Sequence, residues 1–91
     1  TRRMCTLRLT TRERDLVLEY GYPFPDEATL LRESPARNGE HVVSVGPYWV
    51  EMWIADLSRS SRKIRRASLL DEIEALCCVL ENAIAPRPHA G

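Results

Sequence analysis

The feature that most constrains this chain is the spacing of apolar residues between Pro47 and Ala85. Leu69, Ile73, Leu76, Leu80 and Ile84 recur at steps of three and four, which places them on one face of an α-helix. Leu70 and Cys77 widen the stripe, while Asp71, Glu74, Glu81 and Asn82 fall on the opposite side. Ser68 stands where an N-cap is needed, and Asp71 three residues later makes an acidic form of the capping box. Pro86 cannot continue a helix and disfavours helical geometry at Ala85. The pattern predicts a helix over 68–84.

A second helical stripe precedes it. Trp49, Val50, Trp53, Leu57 and Ile64 follow the same spacing, with Ser60 inside the stripe. Pro47 suits the first helical position, where a missing N–H costs nothing. The competing reading is a β-hairpin, because 41–54 is rich in Val, Tyr, Trp and Ile and Gly46-Pro47 is a turn signal. Continuation of the stripe through Leu57 and Ile64 favours a helix over 47–64. The two helices then form an αα-hairpin turning near Arg65–Ser68.

The first half is organised by shorter signals. Cys5, Leu7 and Leu9 alternate with Thr6 and Arg8, the period of a strand over 5–9. Thr10 and Glu13 have capping-box spacing and open a helix over 11–20, with Leu16, Val17 and Tyr20 on its apolar face and Gly21 as its stop. Tyr22-Pro23-Phe24-Pro25 is an extended connector, since each proline pushes its predecessor out of helical geometry. It has the look of a short motif recognised by aromatic-lined grooves, but the plainer reading packs Tyr22 and Phe24 on the core. Asp26 caps a helix over 26–33 with Leu30 and Leu31 buried. Ser34-Pro35 and Asn38-Gly39 make a polar loop. A strand over 41–46 follows, with His41, Val43 and Val45 on one face. The expected fold class is α+β and helix-dominated: four helices and a two-stranded β element (5–9, 41–46). A single globular domain over 1–85 would end in a mobile tail at 86–91.

Composition limits the function classes. A chain of 91 residues buries about 60–65% of its unfolded surface, enough for one modest core. With 44% hydrophobic and 29% charged residues, wholesale disorder is disfavoured. No apolar run approaches the roughly 20 residues that span a bilayer, so no membrane partner is expected. Arg2 and Arg3 are not followed by the apolar stretch of a signal peptide. Three cysteines, two of them adjacent with divergent side chains, read as reduced thiols in a cytoplasmic protein. Cys77 reads as a small core residue and Cys78 as an outward thiol.

Net charge is zero, but it is laid out in blocks. Residues 1–14 hold five Arg and one acid, 15–56 hold eight acids and two Arg, and 57–67 hold five basic residues and no acid. Arg59, Arg62, Lys63, Arg65 and Arg66 are therefore the candidate phosphate-binding residues. Two plainer roles compete: cations at a helix C-terminus meet its dipole favourably, and the run can lie against the acids of 71–81. No aromatic residue interleaves the run to stack a base, and no DNA-reading motif stands out.

No pattern in the chain carries recognisable catalytic chemistry. Its glycines, at 21, 39, 46 and 91, form no phosphate-cradling loop. Cys5, His41, Cys77, Cys78 and His89 lack the paired spacing of common metal sites. A thiol nucleophile would need His41 as its base, and pairing of the two strands would make Cys5 its neighbour. Tyr48, Met52 and Ile54 lie outside the main stripe of their helix, which points to a second packed surface. Together with Cys78 and Val79 they are the candidate interface. The expectation is a non-catalytic regulatory or adaptor module without cofactor or metal. It would act through protein contacts, as a homodimer, with a small nucleic-acid-associated regulator as the alternative.

Overall fold

The computed structural model describes residues 4–85. The expectations about Arg2, Arg3, His89 and the tail at 86–91 lie outside them. The elements are β1 (Cys5–Thr10), α1 (Thr11–Tyr20), α2 (Pro25–Glu33), β2 (Ala36–Arg37), β3 (Glu40–Val45), α3 (Pro47–Ser61) and α4 (Ala67–Ile84). The expected helix-dominated α+β class is what the chain adopts.

The sheet differs from the expectation of two strands. It has three, in the order β1-β3-β2, and both pairings are antiparallel. Asn38 and Gly39 take positive φ of 54° and 80°, the two left-handed residues that a tight hairpin requires. They fold Ala36 and Arg37 back onto His41 and Glu40. The polar loop therefore contains a hairpin. Its first strand has two exposed residues, too few to show a period of two.

Alternation in β1 and β3 buries Leu7, Leu9, His41, Val43 and Val45 on one face and leaves Thr6, Arg8, Val42 and Ser44 to solvent. The helices complete the core on the buried face. Leu16 and Val17 of α1, Leu31 of α2, Val50, Trp53 and Leu57 of α3, and Ile73, Leu76 and Leu80 of α4 join it. Trp53 is among the largest fully buried side chains. Fully burying a Leu, Ile or Val side chain contributes about 1.5–3 kcal/mol, so this cluster carries most of the stability.

Helix ends follow local chemistry. The capping box of α1 forms: the Thr10 hydroxyl accepts from the Glu13 amide at 3.1 Å, and the Thr10 amide donates to Glu13 at 2.9 Å. In α2 the N-cap is Phe24 rather than Asp26, because Pro25 takes the first helical position. Leu31 is buried there, but Leu30 is exposed. Helix α3 stops at Ser61, three residues short of the expected end. The amides of Arg62, Lys63 and Ile64 bond the carbonyls three residues back, at 3.3, 3.0 and 3.2 Å, which tightens the last turn and ends the α-helical ladder. Helix α4 starts at Ala67 with Arg66 as N-cap, because the Leu70 amide already bonds the Arg66 carbonyl at 3.0 Å. Ser68 thus sits inside the first turn. The αα-hairpin forms, and its turn runs through 62–66.

Candidate functional site

The connector between α1 and α2 lies along one flank of α3. The Ser60 hydroxyl donates to the Tyr20 carbonyl at 3.0 Å and ties the end of α1 to the end of α3. At the other end, the Phe24 ring tilts against Trp49 with centroids 5.0 Å apart. Tyr48 meets Trp49 edge-on at 5.1 Å. These rings pack on one another, yet Phe24 is 50% and Tyr48 62% exposed. Tyr22 and Phe24 therefore do not pack into the core as expected, and Trp49 is only partly buried at its margin.

Around the Ser60–Tyr20 anchor is a groove of about 260 Å³, lined by Tyr20, Tyr22, Asp56, Arg59, Ser60, Lys63 and Ile64. Arg59 donates from Nη1 to Asp56 at 2.8 Å, an i,i+3 pair on the helix. Burial, reinforced by Glu19, pushes the Tyr20 phenol above its ordinary range, so it stays a neutral donor.

Gly21 and Tyr22 shape the rim. A side chain at Gly21 would meet the Val17 carbonyl at 2.8 Å, and the Gly21 amide already bonds that carbonyl at 2.8 Å. Gly21 itself stays right-handed at φ −91°. The left-handed position that ends such helices falls instead on Tyr22, at φ 47°.

All five candidate phosphate-binding residues are exposed, but only Arg59 and Lys63 line the groove. The run forms no ion pair with the acids of 71–81 among the described residues. Glu72 is instead taken by Arg12 in a two-pronged pair at 2.9 and 2.8 Å. That pair holds the Glu72 carboxyl below its ordinary range and the Arg12 guanidinium above its own, and the nearby Arg66 lowers Glu72 further. Arg8 points from the solvent face of the sheet, away from the helices.

The five candidate interface residues separate into two places. Tyr48 and Met52 are one helical turn apart on the connector flank of α3. Ile54 lies about 240° round the helix from Tyr48, partly buried against the core, as is Val79 of α4. Cys78 is exposed on α4. Next to it, burial pushes the Cys77 thiol up, with a hydrogen bond to Ser58 opposing.

The thiol–histidine pairing does not arise. Cys5 pairs with Val45 and His41 with Leu9, so the two lie about 13 Å apart along the sheet at 3.3 Å per residue. His41 is instead buried in a hydrogen-bonded lock. Its Nδ1 lies 2.9 Å from the Ser34 carbonyl and 3.0 Å from the Ser34 hydroxyl, and its Nε2 lies 3.0 Å from Thr11 Oγ1. The Ser34 hydroxyl donates to the Leu31 carbonyl at 2.7 Å. Both Ser34 oxygens therefore accept from the ring, which places a proton on Nδ1 and leaves Nε2 to accept from Thr11 when the ring is neutral. Since its near nitrogen already carries a proton, the neutral ring cannot take one from Ser34. The arrangement joins α1, α2 and β3. Among the described residues, no three His, Cys, Asp or Glu side chains gather as metal ligands.

Comparison with family models, with curated proteins and with solved structures finds no significant match to this chain. Sequence reasoning missed the part that Tyr20, Tyr22, Phe24 and Trp49 play on the surface. The available signal was the Tyr22-Pro23-Phe24-Pro25 connector, whose aromatics are spaced by prolines that keep it extended.

Proposed function

We propose that the chain is a non-catalytic regulatory or adaptor module that pairs with a second copy of itself through the N-terminal half of α3. The observation that carries this reading is the surface ring cluster, in which Phe24 and Tyr48 each pack against Trp49 while staying half or more exposed. Aromatic residues and Met are enriched at protein interfaces, and a cluster able to shed water together is their usual anchor. Met52, one turn beyond Tyr48, extends the patch. Zero net charge imposes no long-range repulsion between copies.

Sedimentation equilibrium tests the pairing. The wild-type chain is expected to show a concentration-dependent monomer–dimer equilibrium. A Tyr48→Glu, Met52→Glu variant is expected to sediment as a monomer with unchanged far-ultraviolet circular dichroism. A wild-type monomer at high micromolar concentration removes the homodimer and leaves the patch to a different protein.

A further inference from the structure

We infer that the groove at the C-terminal half of α3 is a site for single-stranded nucleic acid, with a base laid on Tyr22 and the adjoining phosphate held by Arg59 and Lys63. This goes beyond the pairing proposed above and uses other residues, since even Arg59 lies about 16.5 Å along α3 from Tyr48 at 1.5 Å per residue.

Three observations carry it. First, the fold brings rings to the basic run. Tyr20 and Tyr22 line the same groove as Arg59 and Lys63, and alternating rings and cations is the arrangement that binds single strands, because every base has a stacking face and every linkage a charge. Second, Tyr22 is held at φ 47°, a backbone conformation that bulky L-residues rarely adopt. The position closes α1, but the residue is 64% exposed, so a large aromatic stands there, where glycine is the usual choice, without core packing to hold it. Such outliers gather where a site must present a group in one direction. Third, Asp56 grips only one nitrogen of Arg59. This aims the guanidinium while leaving its remaining N–H groups free. Lys63 makes no ion pair among the described residues, and Arg62, Arg65 and Arg66 are exposed in the same turn between α3 and α4. In a duplex the bases face inward and cannot reach a tyrosine face, which favours a single strand. An acidic peptide would use the cations and leave the rings unexplained.

Fluorescence anisotropy with labelled oligothymidine and oligouridine of about ten nucleotides, across a salt series, tests the site in the full chain. Both probes are used because the groove geometry distinguishes stacking from charge, not one sugar from another. Binding of either strand that weakens with salt is expected. Tyr22→Gly, which removes the ring and suits the left-handed backbone, is expected to weaken it about tenfold. Lys63→Ala is expected to lower the salt slope by about 0.7, the value for one lost phosphate contact on a single strand. The proposal is overturned by absence of binding to either strand at low salt. It is equally overturned by unchanged affinity in Tyr22→Gly, or by equal competition from a duplex or from polyglutamate of matched charge. The Tyr48→Glu, Met52→Glu variant, which breaks the pairing, is expected to bind a single strand as the wild type does, so the two proposals fail separately.

Discussion

His41 and Tyr22 are both held in unusual settings, and the two settings are opposite. His41 is buried, with each ring nitrogen bonded to a neighbouring element. Tyr22 is exposed in a left-handed backbone. Around His41, polar groups are consumed by structure: Thr11 and Ser34 are bonded, and the capping box closes beside them. At the groove, Tyr22 itself and the Arg59 side chain keep most of their surface. A polar or aromatic residue used up by its neighbours supports the fold, whereas one held in place and left unsatisfied is available to a ligand. This contrast, more than residue type, separates the scaffold from the candidate site.

The largest expected effect tests the scaffold side. His41→Ala removes a buried ring and leaves the Ser34 carbonyl without its partner, so it is expected to destabilise the fold by about 2–4 kcal/mol in urea unfolding. A change within about 0.5 kcal/mol, the range of an ordinary surface substitution, would break the comparison.

A smaller effect of the opposite sign is expected at the other pole. Tyr22→Gly relieves a left-handed strain of about 1–2 kcal/mol but frees the unfolded chain by about 0.4–1 kcal/mol. Stability should therefore hold or rise by up to about 1.6 kcal/mol, read from the thermal midpoint. Clear destabilisation would place Tyr22 with the scaffold.

The smallest effect concerns the surface pair Arg12–Glu72, which belongs to neither pole. The folded-state pKa of Glu72 is depressed, so its contribution is present above the unfolded carboxylate value of about 4.3 and fades as pH falls through the lower folded value. Glu72→Gln is expected to lose a small part of the acid-side slope of stability and to match the wild type at the lowest pH. Exposed pairs of this kind are screened, and the difference should shrink further in high salt.

The helices were largely legible because their signals are local. Leu69, Ile73, Leu76 and Leu80 announce α4 by spacing alone, and the run through Leu57 correctly favoured helix over hairpin for α3. Thr10 and Glu13 marked the start of α1. Ala36 and Arg37 were missed because two exposed residues have no burial pattern, although Asn38-Gly39 was the turn signal beside them. The ends of α2 and α4 shifted because Pro25 and the Arg66 carbonyl govern the first turns, not the polar side chains nearby. At the candidate site, the basic run could be read directly, and Arg59 and Lys63, four apart, share a helical face. The tyrosines that meet them come from about 40 residues earlier in the chain, a proximity that only the packed core creates.

The unequal settings of the two tryptophans have a practical consequence. Trp53 is almost wholly enclosed, and its indole N–H has no partner among the described residues. Trp49 lies at the surface margin against Phe24 and Tyr48. An indole shielded from water relaxes little before it emits, so Trp53 should emit to the blue and resist collisional quenchers. Trp49 should emit further to the red and be quenched. The chain thus carries two intrinsic optical reporters, one for the integrity of its interior and one for occupancy of its aromatic flank, and both can be followed without attaching a dye.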